Sequence, residues 1–142
     1  MENIYIDDAS RPPDVGQLGA GSWARLLAWA SEASGSEGAF ALDQRGLLID
    51  AHALTHRDAD QLEVVAARLG VALAQTLPLH PEPGDDALAL RLGGDWLTAL
   101  RLPVMAGEQW VAVVLVGAEV PPTAVRRSVR QGLAEALAGI SG

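Results

Sequence analysis

Apolar residues recur along this chain with two periods, about 3.6 and 2 residues, and the switches between them lay out its elements. From Ser22 onward, Trp23, Leu26, Leu27 and Ala30 fall on one helical face; the Ser22 hydroxyl is placed to cap the first turn and Ser34-Gly35-Ser36 ends it. Ala39–Leu42 and Gly46–Ala51 read as two short strands joined by Asp43-Gln44-Arg45-Gly46, a polar turn whose glycine suits a positive φ. A long helix follows over Asp58–Thr76, with Asp58 and Gln61 at the spacing of a capping box. After a polar loop with three prolines, Pro78–Asp86, come strands over Ala87–Leu92, Asp95–Leu102 and Gln109–Gly117. Gly93-Gly94 joins the first two as a two-residue turn. Trp110–Val116 is apolar on both faces, the pattern of a central strand covered on both sides. Pro121-Pro122 opens a last helix over Pro122–Ala138, with Val125, Val129, Leu133 and Leu137 along one face and Gly139 placed to stop it.

The order is helix, hairpin, helix, three-stranded meander, helix. Hairpin connections make the sheet mostly antiparallel, and the helices become its outer layers, an α/β (α+β) class. The long helix carries more apolar surface than one sheet can cover. Leu62, Val65, Leu69, Leu73 and Leu77 trace one stripe; Val64, Ala67, Val71 and Ala74 trace a second. The second stripe calls for a like chain, although an alanine-rich face also tolerates water.

Residues 1–21 read as a tail. Pro12-Pro13 and three glycines break any regular element, and only Ile4-Tyr5-Ile6 has the pattern of a short strand. Residues 22–142 form the domain. The start lacks the basic and apolar regions of a secretory signal, and no stretch reaches the roughly 18 apolar residues of a membrane span, so a cytoplasmic protein without membrane insertion is expected.

Composition narrows the chemistry. Net charge is −8, which disfavours binding to phosphate backbones, so no nucleic-acid partner is expected. All ten basic residues are arginine, which removes Schiff-base chemistry and the lysine of a phosphate loop. Without cysteine there is no disulfide, thiolate nucleophile or zinc–thiolate site. His52 and His56 are four apart but straddle a strand end and a loop, His80 sits among prolines, and no third ligand falls at metal spacing. Asp58, Asp60 and Glu63 complement the dipole at the start of the long helix rather than forming an acid–base pair. Asp43–Gly46 has too few oxygen ligands for a calcium loop, and the serines lack the company of a triad. No catalytic residue, metal or cofactor is expected. Arg126, Arg127 and Arg130 cluster where a helix dipole disfavours cations; they read as a docking patch for an acidic partner, or as an ordinary solvated face.

The segment Ala39–Ala51, an apolar strand, Asp-x-x-Gly and a second apolar strand, followed by a long alanine-rich helix, resembles the roadblock (dynein light chain 7) family over residues 22–138. The resemblance implies a three-layer sandwich: a five-stranded antiparallel sheet with the long middle helix on one face and the terminal helices on the other. It implies a homodimer made by pairing the third strand and packing the middle helices together, with Val64, Ala67, Val71, Ala74, Leu88 and Leu90 at the interface. It also implies a small Ras-like GTPase as partner, met through Arg57, Asp60, Glu63 and Arg68 on or beside the middle helix and through the arginine cluster. The proline-rich tail and short third strand depart from the family's commonest pattern. A scaffold subunit of a larger assembly and a small-ligand sensor are the alternative readings.

Overall fold

The computed structural model of the protein describes residues 22–54, 59–76, 87–103 and 110–141. Its elements are α1 (Ser22–Ser34), β1 (Gly38–Asp43), β2 (Leu48–His52), α2 (Ala59–Thr76), β3 (Ala87–Leu92), β4 (Asp95–Pro103), β5 (Trp110–Gly117) and α3 (Thr123–Ser141). The five strands form one sheet in the order β2-β1-β5-β4-β3, every neighbouring pair antiparallel. The expected architecture holds. β5 lies at the centre, and Val111–Val116 are all buried because helices cover both faces.

Two cores follow from the strand alternation. Phe40, Leu42, Leu97, Ala99, Ala112, Val114 and Val116 face Leu62, Ala66, Leu69 and Leu73 of α2. Ala39, Ala41, Leu100, Leu102, Val111, Val113 and Leu115 point the other way, onto Leu26, Leu27 and Ala30 of α1 and Val129, Leu133 and Leu137 of α3. Each of β1, β4 and β5 therefore feeds both cores from alternate residues.

Local backbone chemistry sets the joints. Asp43 accepts hydrogen bonds from the amides of Arg45 and Leu47 at 2.9 and 3.1 Å, which closes the β1–β2 turn. Gly46 follows at φ 83°, and a Cβ there would sit 2.9 Å from the Ala67 Cα, so this glycine is needed for both the turn and the close approach to α2. Gly132 in α3 leaves room for Trp29, whose ring would lie 2.5 Å from an added Cβ. The Gly93-Gly94 turn holds Leu92 opposite Asp95; Gly93 has a φ of 63°, as a II′ turn requires at its first central position.

Some boundaries differ from the expectation. Gly139 does not stop the last helix, which runs on to Ser141. β2 starts at Leu48 rather than Gly46, because Gly46 and Leu47 are consumed by the turn. Its register also slips: Ala41 pairs with Asp50 and Leu42 with Leu48, leaving Ile49 as the extra residue of a bulge. Ala53, just after β2, has φ 60°, and Leu54 beyond it is buried in the α2-side core. The tail, His56, His80, the Asp58 cap, Leu77 and the Pro78–Asp86 loop lie outside the described residues.

Candidate docking surface

The middle helix presents two kinds of surface. Its inward line, Leu62, Ala66, Leu69 and Leu73, is at most 8% exposed. At about 100° per residue, Val64 and Val71 fall on the opposite side. They are 52% and 60% exposed, and Ala67 and Ala74 between and beyond them are exposed as well. Glu63 borders this apolar stripe on one flank and Arg68 on the other, both exposed.

The edge strand β3 continues the apolar surface. Leu88 packs partly against the α2-side core, so by alternation Leu90 and Leu92 share that face, where they are 39% and 45% exposed. A groove of about 600 Å³ runs between α2 and the β3–β4 hairpin, walled by Gln61, Val64, Val65, Leu92 and Gly93–Asp95. Deeper in the same cleft, a pocket of about 30 Å³ reaches Phe40, Leu97 and Val116. Val64 and Leu92 thus sit across one groove, whereas Ala67 lies toward the other flank of α2, beside Gly46.

On the opposite sheet face of β3, Arg91 stacks over the ring of its cross-strand partner Trp96, 5.7 Å from the centroid. The free side of β3 carries only Arg91 as a charged residue, little to oppose pairing with another strand.

The arginine cluster is placed differently from the α2 surface. It lies on α3, across the sheet. Arg126 donates to the Pro121 carbonyl at 2.8 Å and to the Thr123 hydroxyl at 3.1 Å, fastening the start of the helix. Arg130 donates through Nε to the Arg101 carbonyl on β4 at 3.1 Å. Both are half-buried, and Arg127 is exposed. Two of the three arginines are therefore occupied in holding α3 to its surroundings, which explains cations in a helix half where the dipole disfavours them. Arg57 lies outside the described residues, as does the side chain of Asp60.

Among the described residues no group of three or more His, Asp or Glu is placed to hold a metal ion. His52 ends β2, half-buried. Asp43 is the described acid with a perturbed proton affinity. Burial pushes its carboxyl upward, but hydrogen bonds from the Arg45 side chain and from the Leu47 and Arg45 amides outweigh that and hold it below the ordinary value. These bonds are those of the turn itself, including the Arg45–Asp43 ion pair at 2.8 Å. Among the described residues no helix is long and apolar enough to cross a membrane.

Leu92 and the Gly93–Asp95 turn were not assigned to a docking surface from the sequence. The alternation Leu88, Leu90, Leu92 was the signal that Leu92 belongs with them.

No protein-family model matches the chain, and no curated protein matches it in sequence. Solved structures do match it. The gliding protein MglB from Thermus thermophilus aligns with a TM-score of 0.60 at 21% identity, over 87% of this chain and 93% of that one. A Roadblock/LC7 domain from Streptomyces avermitilis aligns with a TM-score of 0.56 at 18% identity, over 81% and 93%. MglB from Myxococcus xanthus aligns with a TM-score of 0.54 at 15% identity, over 83% and 84%. A further MglB structure, described as having a tetrameric arrangement, aligns at 0.56 and 19% identity.

Proposed function

We propose that this chain, which carries the roadblock fold, works as a non-catalytic homodimeric regulator or adaptor of a small Ras-like GTPase. The observation that carries the reading is the apolar exposure on α2 and on the edge strand β3 across the groove from it: Val64, Ala67, Val71 and Ala74 on the helix, half-buried Leu88 and exposed Leu90 on the strand. Exposed valines in the middle of a helix and exposed leucines on an unpaired sheet edge are a costly combination for a lone chain. Two copies related by a twofold axis would cover both at once, β3 against β3 and α2 against α2. Within that pair Val64 and Leu92 lie toward the groove and Ala67 toward the turn at Gly46.

The GTPase would meet the flanks of α2 that the dimer leaves open and their surroundings through Arg57, Asp60, Glu63 and Arg68, with Arg127 the most available member of the Arg126, Arg127, Arg130 cluster. Regulation would act by favouring one arrangement of the partner's switch loops. The test is direct. GTP hydrolysis by the cognate GTPase changes on adding the dimer, and the two co-elute in size exclusion. An unchanged rate together with no complex rejects the GTPase reading, and stable non-GTPase partners in its place favour a scaffold subunit. The groove gives the ligand-sensor alternative one observation in its favour, an apolar cleft of ligand size. A shift in melting temperature on adding a small apolar ligand, with the chain monomeric, supports that alternative.

A further inference from the structure

We propose that the α3 side of the β3–β4 hairpin is a docking face for an acidic segment of a partner protein, held by Arg91 stacked on Trp96 and by the arginines along the adjoining flank of α3.

Strand alternation sets the floor of this face. Leu88 belongs to the α2-side core, so Ala87, Ala89 and Arg91 face the other way, with Leu100, Thr98 and Trp96 opposite them on β4. α3 packs over β4 and beside α1; β3 lies beyond it, with Ala89 and Arg91 exposed. The helix supplies the wall. Val129 points inward, and Gly132 turns to Trp29 of α1 on one side. At about 100° per residue, Arg126 and Arg130 fall on the opposite flank, over β4, and Arg127 stands above them. The bond from Arg130 to the Arg101 carbonyl runs in that direction.

Charge is segregated here. The chain carries −8 overall, yet four of its ten arginines border this one face. Among the described residues no carboxylate stands on the β4-side flank of α3 or on this face of β3 and β4. Glu135, the acid of α3, falls on the α1 side of the helix. Asp95 lines the groove on the α2 side, and Glu119 precedes the helix in the turn from β5. The bonds of Arg126 and Arg130 to Pro121, Thr123 and Arg101 end on neutral oxygens, which fix the guanidiniums without cancelling their charge. Arg91 lies over the Trp96 ring at 5.7 Å. A guanidinium held this way uses its flat face on the ring and keeps its N–H fork for a carboxylate. From Trp96 to Arg101 the strand covers about 17 Å, the reach of about five extended residues. A short acidic peptide fits those limits, whereas a long phosphate backbone would run off the patch onto an acidic surface.

The probe is fluorescein-labelled hexaglutamate, titrated with the full chain and read by anisotropy. Saturable binding is expected, weakened severalfold by Arg91→Glu, roughly tenfold or more when Arg127→Glu is added, and unchanged by Arg25→Glu on α1. Thermal melting checks that each variant is folded. A second reading needs no variant. In proton–nitrogen spectra of the parent chain the peptide should move the Trp96 indole signal and leave that of Trp29, between α1 and α3, in place. No binding by the parent, an equal loss with Arg25→Glu and Arg91→Glu, or an unmoved Trp96 signal overturns the proposal. Equal binding of a thymidine decanucleotide also overturns it, by assigning the face to phosphate. Neither readout involves the dimer or the GTPase, so this proposal and the functional one stand or fall separately.

Discussion

Replacing Val64 and Val71 together with aspartate should separate two copies of the chain without unfolding either. The two side chains are 52% and 60% exposed in the single chain. Full burial of a valine is worth about 2 kcal/mol, so covering the exposed half of each contributes about 1 kcal/mol. A twofold interface repeats both, giving about 4 kcal/mol, or roughly a thousandfold in Kd at 1.4 kcal/mol per decade. Aspartate removes that gain and asks the interface to desolvate carboxylates as well. Sedimentation velocity over a micromolar dilution series reads the association, and thermal melting of dilute protein reads the fold. The expected outcome is a parent chain that dimerises and a variant that stays monomeric, with little change in the monomer's melting because surface substitutions usually stay within about 0.5 kcal/mol. Equal masses for parent and variant would refute the reasoning. So would a collapse of the variant's melting, which would mean that the valines are buried by their own chain.

Three further outcomes follow from the backbone and the turn. Ala53→Gly should raise stability by about 0.5–1 kcal/mol, because alanine at φ 60° costs about 1–2 kcal/mol and glycine returns part of that as unfolded-chain entropy; urea midpoints read it. Gly46→Ala and Gly132→Ala should each destabilise by about 1–3 kcal/mol in the same titration, the first through positive φ and the Ala67 backbone, the second by displacing Trp29. Asp43 has a folded pKa held below 3.8, so its contribution is complete above the unfolded value and is lost as pH falls through the folded one. Asp43→Asn should therefore lower stability at neutral pH and flatten the acid side of the stability profile, measured by urea melts from about pH 6 down to about pH 2.

Most of the framework was legible in the sequence because it rests on periodicity and turn chemistry. β3 spans Ala87–Leu92 as expected, since Gly93-Gly94 and the leucine alternation leave no other register. β5 declared its central place by being apolar on both faces. The Ile49 bulge and the left-handed Ala53 were not legible. Both precede Leu54, which is buried in the α2-side core, a contact between elements that no local pattern encodes. Gly139 failed as a stop because a helix glycine costs only about 1 kcal/mol and ends nothing unless the chain has reason to turn there. The contacts of the α3 arginines were not legible for a related reason. Their charge was visible, but the Arg101 carbonyl that accepts from Arg130 comes from β4, and the Pro121 carbonyl that accepts from Arg126 stands in the turn just ahead of the helix. On α2 the second stripe was legible as apolar, while its division between the groove side at Val64 and the turn side at Ala67 needed the position of the β3–β4 hairpin.

That the middle strand of the sheet comes fifth in the chain has a consequence for synthesis. β1 bonds β2 on one side and β5 on the other, so a nascent chain that has made only its first half holds an unfinished hairpin with Phe40 and Leu42 still waiting for Val114 and Ala112. No stable half-protein can emerge from the ribosome ahead of the rest. The two halves are joined when β5 arrives between them, and the cost of closing that long loop is paid in a single late step. Ribosome-bound chains halted before Trp110 should stay open to protease, and those extended past the last helix should become resistant all at once.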